Sequence, residues 1–258
     1  MRIATWNING VRARHERLLA WLRDKAPDVL CLQEIKCEDK SFPKADIEAL
    51  GWETATYGQK AYNGVAILSR SGLSAVERGF ADGQAEDPQA RLIAATVTGA
   101  RVVCAYFPNG KEVGSEAYDY KLAWVERLRA KLAPLVTPAS ELALCGDYNV
   151  APASIDVYDP VAWEGKILCS EPERAAFRGL LALGLTDALR ALHPSEVAYT
   201  WWDYRELGFP KNKGMRLDHL LITAGLAKRL VRAEVDRNER KGKQASDHAP
   251  VVIEVAAG

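Results

Sequence analysis

With 258 residues, 48% of them hydrophobic and 26% charged, the chain has the composition of an ordinary globular protein with ample material for a core. Lys plus Arg number 34, as do Asp plus Glu, so no global field draws the chain to nucleic acid or a membrane, and any polyanion site must be a local basic patch. No apolar run approaches the roughly 20 residues of a membrane span. The N-terminus reads directly as a strand without a secretory leader, and the five cysteines form no Cys-x-x-Cys pair. Cys31, Cys104 and Cys145 sit in apolar runs and Cys37 and Cys169 in polar ones, which suits reduced thiols in a cytoplasmic protein.

In chain order, Arg2 to Asn9 alternates as a strand before a turn at Asn9-Gly10. Val11, His15, Leu18 and Leu22 recur at helical spacing up to Pro27, and Val29 to Glu34 is a buried strand ending on a carboxylate. Lys44 to Leu50 is a short helix opened by Pro43 and stopped by Gly51. From Trp52 to Arg70, Leu73 to Gly79 and Arg91 to Phe107, strand-like runs and Gly-rich turns suggest an antiparallel meander. Tyr118, Leu122, Val125, Leu128 and Leu132 form the apolar stripe of a long helix. The run Leu142 to Cys145 is then long enough for one buried strand, with a free turn expected at Gly146. Ser170 and Glu173 make a capping box for a helix ending near Gly184. Tyr199 to Tyr204, Arg216 to Thr223, Leu230 to Val235 and Val251 to Val255 are further strands. Nothing marks a linker, so residues 1–258 read as one domain. An α/β architecture of two mixed sheets face to face, with helices outside, accommodates this order.

Five strand ends share one design: an apolar run, then Asn, Asp, Glu or His. They are Trp6-Asn7-Ile-Asn9-Gly10, Gln33-Glu34-Ile-Lys36, Gly146-Asp147-Tyr-Asn149, Arg216-Leu-Asp218-His219 and Ser246-Asp247-His248-Ala-Pro250, with Tyr106 before Phe107-Pro108-Asn109-Gly110 as a sixth. Each alone is unremarkable, and Gly146-Asp147-Tyr-Asn149 alone would read as an Asx-type turn. Together they supply carboxylates, amides, a phenol and a histidine, with no nucleophilic Ser or Cys in an activated motif. That inventory suits hydrolysis of a phosphate ester. A hard divalent cation takes oxygen ligands, amides hold phosphate oxygens without repulsion, and a His held by an Asp can stabilise phosphoryl charge. A carboxylate beside a water can deprotonate it.

These segments, with Thr200-Trp-Trp-Asp-Tyr-Arg205, occur in the order seen in the exonuclease III family of apurinic/apyrimidinic endonucleases, within the endonuclease/exonuclease/phosphatase superfamily, and the chain resembles it along essentially its whole length. The resemblance implies a four-layered α/β sandwich and Mg²⁺-dependent (Mn²⁺ substituting) hydrolysis of duplex DNA at abasic sites and blocked 3′ ends by a monomer. It implies Glu34 as the principal metal ligand, with Asn9 or Asp247 contributing near it or through water. Asp147 would align and deprotonate the attacking water, and Asn149 would contact phosphate and help position that water. Asn7 and Tyr106 would bind the scissile phosphate, and His248, oriented by Asp218, would stabilise the developing charge. Asn109, Lys121 and Arg91 carry over as DNA-backbone contacts. Some relatives have Asp where this chain has Asn9, which leaves one-metal and two-metal chemistry open.

Lys211, Lys213 and Arg216 flank both the aromatic segment and Asp218, and so are DNA candidates; Lys228 to Lys243 has seven cations against three acids. The resemblance puts Trp202, with Trp201, at a tight wall that admits a bare deoxyribose. Strand alternation sends the two indoles to opposite faces, so one of them is expected to pack. His219, His15, His193 and Tyr148 read as structural. Two rival functions remain, a small-molecule or lipid phosphodiesterase and a non-catalytic DNA-binding relative. The first lacks use for an aromatic-basic loop; the second needs none of the five groups Glu34, Asp147, Asn149, Asp218 and His248.

Overall fold

Crossover helix α1 (His15–Lys25) joins strands β1 (Arg2–Asn7) and β2 (Val29–Gln33), which lie parallel in register from Ile3 beside Val29 to Asn7 beside Gln33. The computed structural model describes residues 1–257. After β2 come α2 (Lys44–Glu48), β3 (Glu53–Tyr57), β4 (Val65–Ser69), β5 (Ser74–Arg78), β6 (Leu92–Val97) and β7 (Ala100–Tyr106). The second half runs α3 (Glu116–Leu132), β8 (Leu142–Asp147), α4 (Pro160–Trp163), α5 (Glu171–Leu181), β9 (Leu185–Asp187), α6 (Ala188–Leu192) and β10 (Trp201–Trp202). It closes with β11 (Gly214–Met215), β12 (Asp218–Thr223), α7 (Ala224–Ala227), β13 (Leu230–Val235) and β14 (Val251–Val255).

Two six-stranded sheets result, in the orders β13-β14-β1-β2-β4-β3 and β5-β6-β7-β8-β12-β9. Each holds one parallel pair at its centre, β1 with β2 and β7 with β8, among antiparallel neighbours. The strand meander expected from Trp52 onward is split: β3 and β4 stay in the first sheet and β5 to β7 build the second. The inner faces meet in one core that includes Val29, Cys31, Ile67, Cys104, Ala143, Cys145 and Leu220. Alternate residues go the other way. Leu30 and Leu32 pack under Leu18, Trp21 and Leu22 of α1, while Leu142 and Leu144 pack under Trp124, Leu128 and Phe177 of α3 and α5. Strands covered on both faces are why these runs are apolar at every position. The layers are therefore helix, sheet, sheet, helix, as expected. All five cysteines are buried and free, Cys37 and Cys169 included, and no helix of the described residues is long and apolar enough to cross a membrane.

The stretch at Gly146 differs from its reading. The strand does not turn there but continues to Asp147, and Tyr106 pairs with Asp147 in the parallel register. A Cβ at Gly146 would lie 1.8 Å from the Ala105 carbonyl oxygen, so glycine is needed for close strand approach. The left-handed turn falls at Asn149 (φ 50°). The expected strand Tyr199–Tyr204 shortens to Trp201–Trp202, paired with Gly214–Met215 in a small ribbon.

The capping box forms: Glu173 accepts from the Ser170 backbone N–H at 3.1 Å. The same carboxylate takes the ammonium of Lys121, whose Nζ also donates to the Asn149 carbonyl at 2.7 Å. Lys121 is thus a correction: expected on the DNA backbone, it is fully buried, tying α3 to α5 and to the loop after β8. Burial holds its pKa below the ordinary lysine value, with Glu173 opposing. Arg216 is a second. It is buried with its guanidinium on Asp156 (2.7 Å) and Asp187 (2.7 Å), so it anchors the start of β12 and offers DNA nothing. Lys121→Met strands a buried carboxylate and is expected to cost about 3–5 kcal/mol in denaturant unfolding. Adding Glu173→Gln should recover much of that; a single variant within about 0.5 kcal/mol of the parent would refute the anchoring role.

Candidate active site

The parallel register of both sheets ends at one place. Asn7 and Gln33 close β1 and β2, Tyr106 and Asp147 close β7 and β8, and Asp218 opens β12 opposite Asp147. Loops then carry Glu34, Asn9, Asn149 and His248 over these strand ends. Glu34, Lys36, Asn9 and Asn149 all have positive φ (52°, 51°, 49° and 50°). Left-handed backbone costs free energy at a non-glycine residue, and its clustering here marks loops shaped for side-chain placement.

Asn7 is central. Its buried Nδ2 donates to Glu34 Oε1 and to Asp147 Oδ2, each at 2.9 Å, and so joins one carboxylate from each sheet. Tyr106 donates its hydroxyl to the same Glu34 Oε1 at 2.9 Å. Burial among these acids raises the phenol's pKa well above its ordinary value. Lys36 Nζ sits 2.7 Å from Glu34 Oε2 and donates to Asn9 Oδ1 at 2.6 Å. Burial alone would raise the Glu34 pKa, but the Lys36 ammonium and the Asn7 amide carry it below the ordinary value. Asn9 reaches on to Asp247, donating to Oδ1 at 2.8 Å.

On the other side, His248 Nδ1 lies 2.8 Å from Asp218 Oδ2, and its Nε2 is 3.7 Å from Asp147 Oδ2. Burial disfavours the imidazolium, yet Asp218 and Asp147 outweigh it and raise the His248 pKa to about 10. Burial, with the Asp218 charge, raises Asp147 to about 7 against the pull of His248. The Thr200 hydroxyl accepts the Asp218 backbone N–H at 3.0 Å and fixes that carboxylate, while Ser246 donates to the Asn7 carbonyl at 2.6 Å. Asn149 donates its backbone N–H to Asp147 Oδ1 at 2.9 Å, and Asn109 Nδ2 donates to Asn149 Oδ1 at 3.0 Å. Lys36, Thr200 and Ser246 were not singled out for the site by their sequence; the one signal was that each stands within two residues of a motif acid or in the same motif.

Asp147, Asp218 and His248 form the group of His, Cys, Asp and Glu among the described residues whose donor atoms lie mutually close enough for a metal, within 4.8 Å. A proton on His248 makes that ring a poor ligand. Glu34, Asn9 and Asp247 carry oxygens of the kind a hard divalent ion takes, and Glu34 already carries a cation in Lys36. The donor set fits a hard divalent ion at Glu34.

The indole of Trp201 is partly exposed and donates Nε1–H to Asp247 Oδ2 at 3.0 Å, and its backbone bridges His248. Trp202 is the packing member: buried, edge-on to Phe209 at 5.1 Å and bonded to Asn212. Of the two indoles, Trp201 is therefore the one that borders the site, where the resemblance had favoured Trp202. Trp202 borders instead a separate hollow of about 470 Å³, with His193, Arg232 and Arg237, that contains none of the site residues above. Arg91 is largely covered, its guanidinium 4.6 Å from the Tyr106 ring centre and bonded to the Tyr106 carbonyl. Lys211 is exposed and Lys213 partly so. Tyr148 stacks on Phe107 at 4.2 Å, and His219 bonds Arg216 and the Val150 carbonyl; both are structural as read.

Residues 4–248 match the Endonuclease/Exonuclease/phosphatase family. The chain is 34% identical over 269 residues to exodeoxyribonuclease III of Haemophilus influenzae, covering 98% of this chain and 99% of that one. Among solved structures, it superposes on the 3′ phosphatase NExo from Neisseria bound to a product DNA hairpin with TM-score 0.96 at 43% identity, covering 100% of both chains. It also superposes on an AP endonuclease from Archaeoglobus fulgidus with TM-score 0.95 at 39% identity, again covering 100% of both. The resemblance read from the motifs thus holds over fold and sequence together, and the chain belongs to the endonuclease/exonuclease/phosphatase family as a DNA-repair nuclease.

Proposed function

We propose that the protein hydrolyses the phosphodiester 5′ to an abasic residue in duplex DNA and also removes nucleotides and phosphates from 3′ ends. The observation that carries this is the pairing of an acid raised toward neutrality, Asp147, with a charged imidazole 3.7 Å away. The relatives named above, an exodeoxyribonuclease III, a 3′ phosphatase and an AP endonuclease, support the substrate class. Asp147 takes a proton from the attacking water as its oxygen bonds to phosphorus and the P–O3′ bond breaks. His248, held by Asp218, stabilises the negative charge that builds on the phosphoryl oxygens. Asn7, Tyr106 and Asn149 hold the phosphate with neutral donors, exchanging for its oxygens the bonds they otherwise make to Glu34, Asp147 and the Phe107 carbonyl. Glu34, with Asn9 and Asp247 beside it, would hold Mg²⁺, for which Mn²⁺ would substitute, and the ion would supply positive charge to the phosphate oxygens. Every one of these groups comes from one chain, so a monomer suffices.

The first test is a duplex carrying one abasic site, incubated with and without Mg²⁺; no incision in either arm refutes the proposal. Glu34→Gln should raise the Mg²⁺ concentration for half-maximal activity at least about tenfold, whereas full wild-type activity in excess chelator would remove the metal from the mechanism.

The rate should rise as Asp147 ionises near pH 7 and fall as His248 loses its proton near pH 10. Asp147→Asn and His248→Asn should each lower turnover by about 10² or more with DNA binding nearly kept. Either variant cleaving at the parent rate would void the role given to that residue.

Trp201→Ala should lower abasic incision relative to 3′-phosphatase activity, timed on matched duplexes. Trp202→Ala should instead cost about 3–5 kcal/mol of stability. The reverse pattern would return the wall to Trp202.

A further inference from the structure

Beyond Trp201 the surface opens into a hollow of about 440 Å³ lined by Tyr158, Trp163 and Trp201, with Lys213, Glu206 and the Arg205–Asp203 ion pair completing its wall. That lies within the roughly 300–1,000 Å³ of small-molecule sites and is more than a bare deoxyribose would fill. Tyr158 and Trp163 come from the segment after Asp156, some distance in sequence from Trp201. Backbone pairing brings them together: Val157 bridges Met215, and the Tyr158 N–H donates to the Gly214 carbonyl at 3.1 Å. Trp163 and Trp201 rest on a small apolar cluster containing Ala151, Met215 and Leu217, so its floor adjoins both Asn149 and Asp218 in the chain. Tyr158 is 37% exposed, and the Lys213 ammonium stands 5.9 Å from its ring centre. Three aromatic rings gathered beside the Lys213 ammonium, next to a phosphodiester site, are the elements of a base-stacking platform. Trp201 links it to the reaction site through its bond to Asp247.

We propose that this hollow holds the unstacked base of the 3′-terminal nucleotide while that nucleotide is released. Its sugar lies against Trp201 and its base against Tyr158 and Trp163. The proposal rests on the nuclease reading of the site and adds to it a place for a base. Drawing an intact terminal nucleotide out of the duplex costs stacking energy that an abasic residue does not. Ring-on-base contact offsets that cost for any base, since each has a π-face. The hollow therefore matters for base-bearing ends and not for abasic or phosphate ends.

Three hairpin duplexes separate the effects: one ending in a paired nucleotide, one in a reduced abasic residue, one in a 3′-phosphate. In the first two the same P–O3′ bond is broken, with and without a base on the departing residue. Tyr158→Ala and Trp163→Ala should lower kcat/KM on the nucleotide-ended duplex by about tenfold each, leaving the other two substrates within about twofold. Tyr158→Phe should restore the rate, and melting curves confirm that the variants fold. An unchanged rate on the nucleotide end, or an equal fall on all three, overturns the proposal. A parent enzyme inactive on all three refutes the nuclease reading itself.

Discussion

One side-chain amide holds the two halves of this site together. The Nδ2 of Asn7 has two hydrogens and spends one on Glu34 of the first sheet and one on Asp147 of the second. Two carboxylates this close repel, and burial worsens the repulsion because the medium screens it poorly. A neutral double donor between them lowers that cost without cancelling either charge. The cancellation comes from outside: Lys36 sits on Glu34 and His248 faces Asp147. Each acid therefore has its own cation and shares one amide. The site divides into a Glu34 end beside Lys36 and an Asp147 end beside His248, each 2.9 Å from the same nitrogen, and the proposed metal and proton-transfer roles fall one at each end.

That division requires the strand ends to sit closer than side chains normally permit. Gly146 lets β8 approach Ala105 of β7, and the parallel register then puts Asp147 level with Tyr106. In the first sheet the equivalent pairing puts Asn7 level with Gln33, and the left-handed turn at Glu34 brings its carboxylate back over the strand. Glycine in one sheet and backbone strain in the other solve the same problem. Buried anchors hold the strained loops: Lys121 donates to the Asn149 carbonyl, Ser246 to the Asn7 carbonyl. Such bonds are short in reach, and each fixes a loop whose side chain must be placed to within a fraction of an ångström.

The sandwich and the polar strand ends were legible because both follow from local pattern. A run apolar at every position announces a strand covered on two faces, and a polar residue at its end announces a loop. What was not legible depended on partners far along the chain. Lys121 meets Glu173, and Arg216 meets Asp156 and Asp187, so neither reaches solvent. A cation's sequence neighbours say little about whether a carboxylate awaits it in the fold. Alternation rightly separated Trp201 from Trp202 but could not say which faced the site. That was decided by Asp247 and His248, which cross over from the end of the chain to pair with Trp201.

A chain of zero formal net charge has no general attraction for a polyanion, and internal pairing reduces its free cations further. Many of its cations are consumed internally: Lys121, Arg216 and Arg190 are in ion pairs, Arg91 lies on Tyr106, and Arg240 on Tyr204. Of those left at the surface, Lys211, Lys241 and Lys243 belong to the segments that flank the Trp201 loop, while others such as Lys40, Lys60 and Lys111 lie elsewhere in the chain. Long-range attraction is weak for such a molecule, since acids elsewhere cancel it beyond a Debye length of about 8 Å. In the proposed reaction, recognition would then rest on contact: neutral amides and a phenol for the phosphate, an indole for the sugar and a few exposed lysines for the flanking strand. On that proposal, such a site would discriminate by what fits against Trp201 more than by how strongly DNA is drawn to the surface.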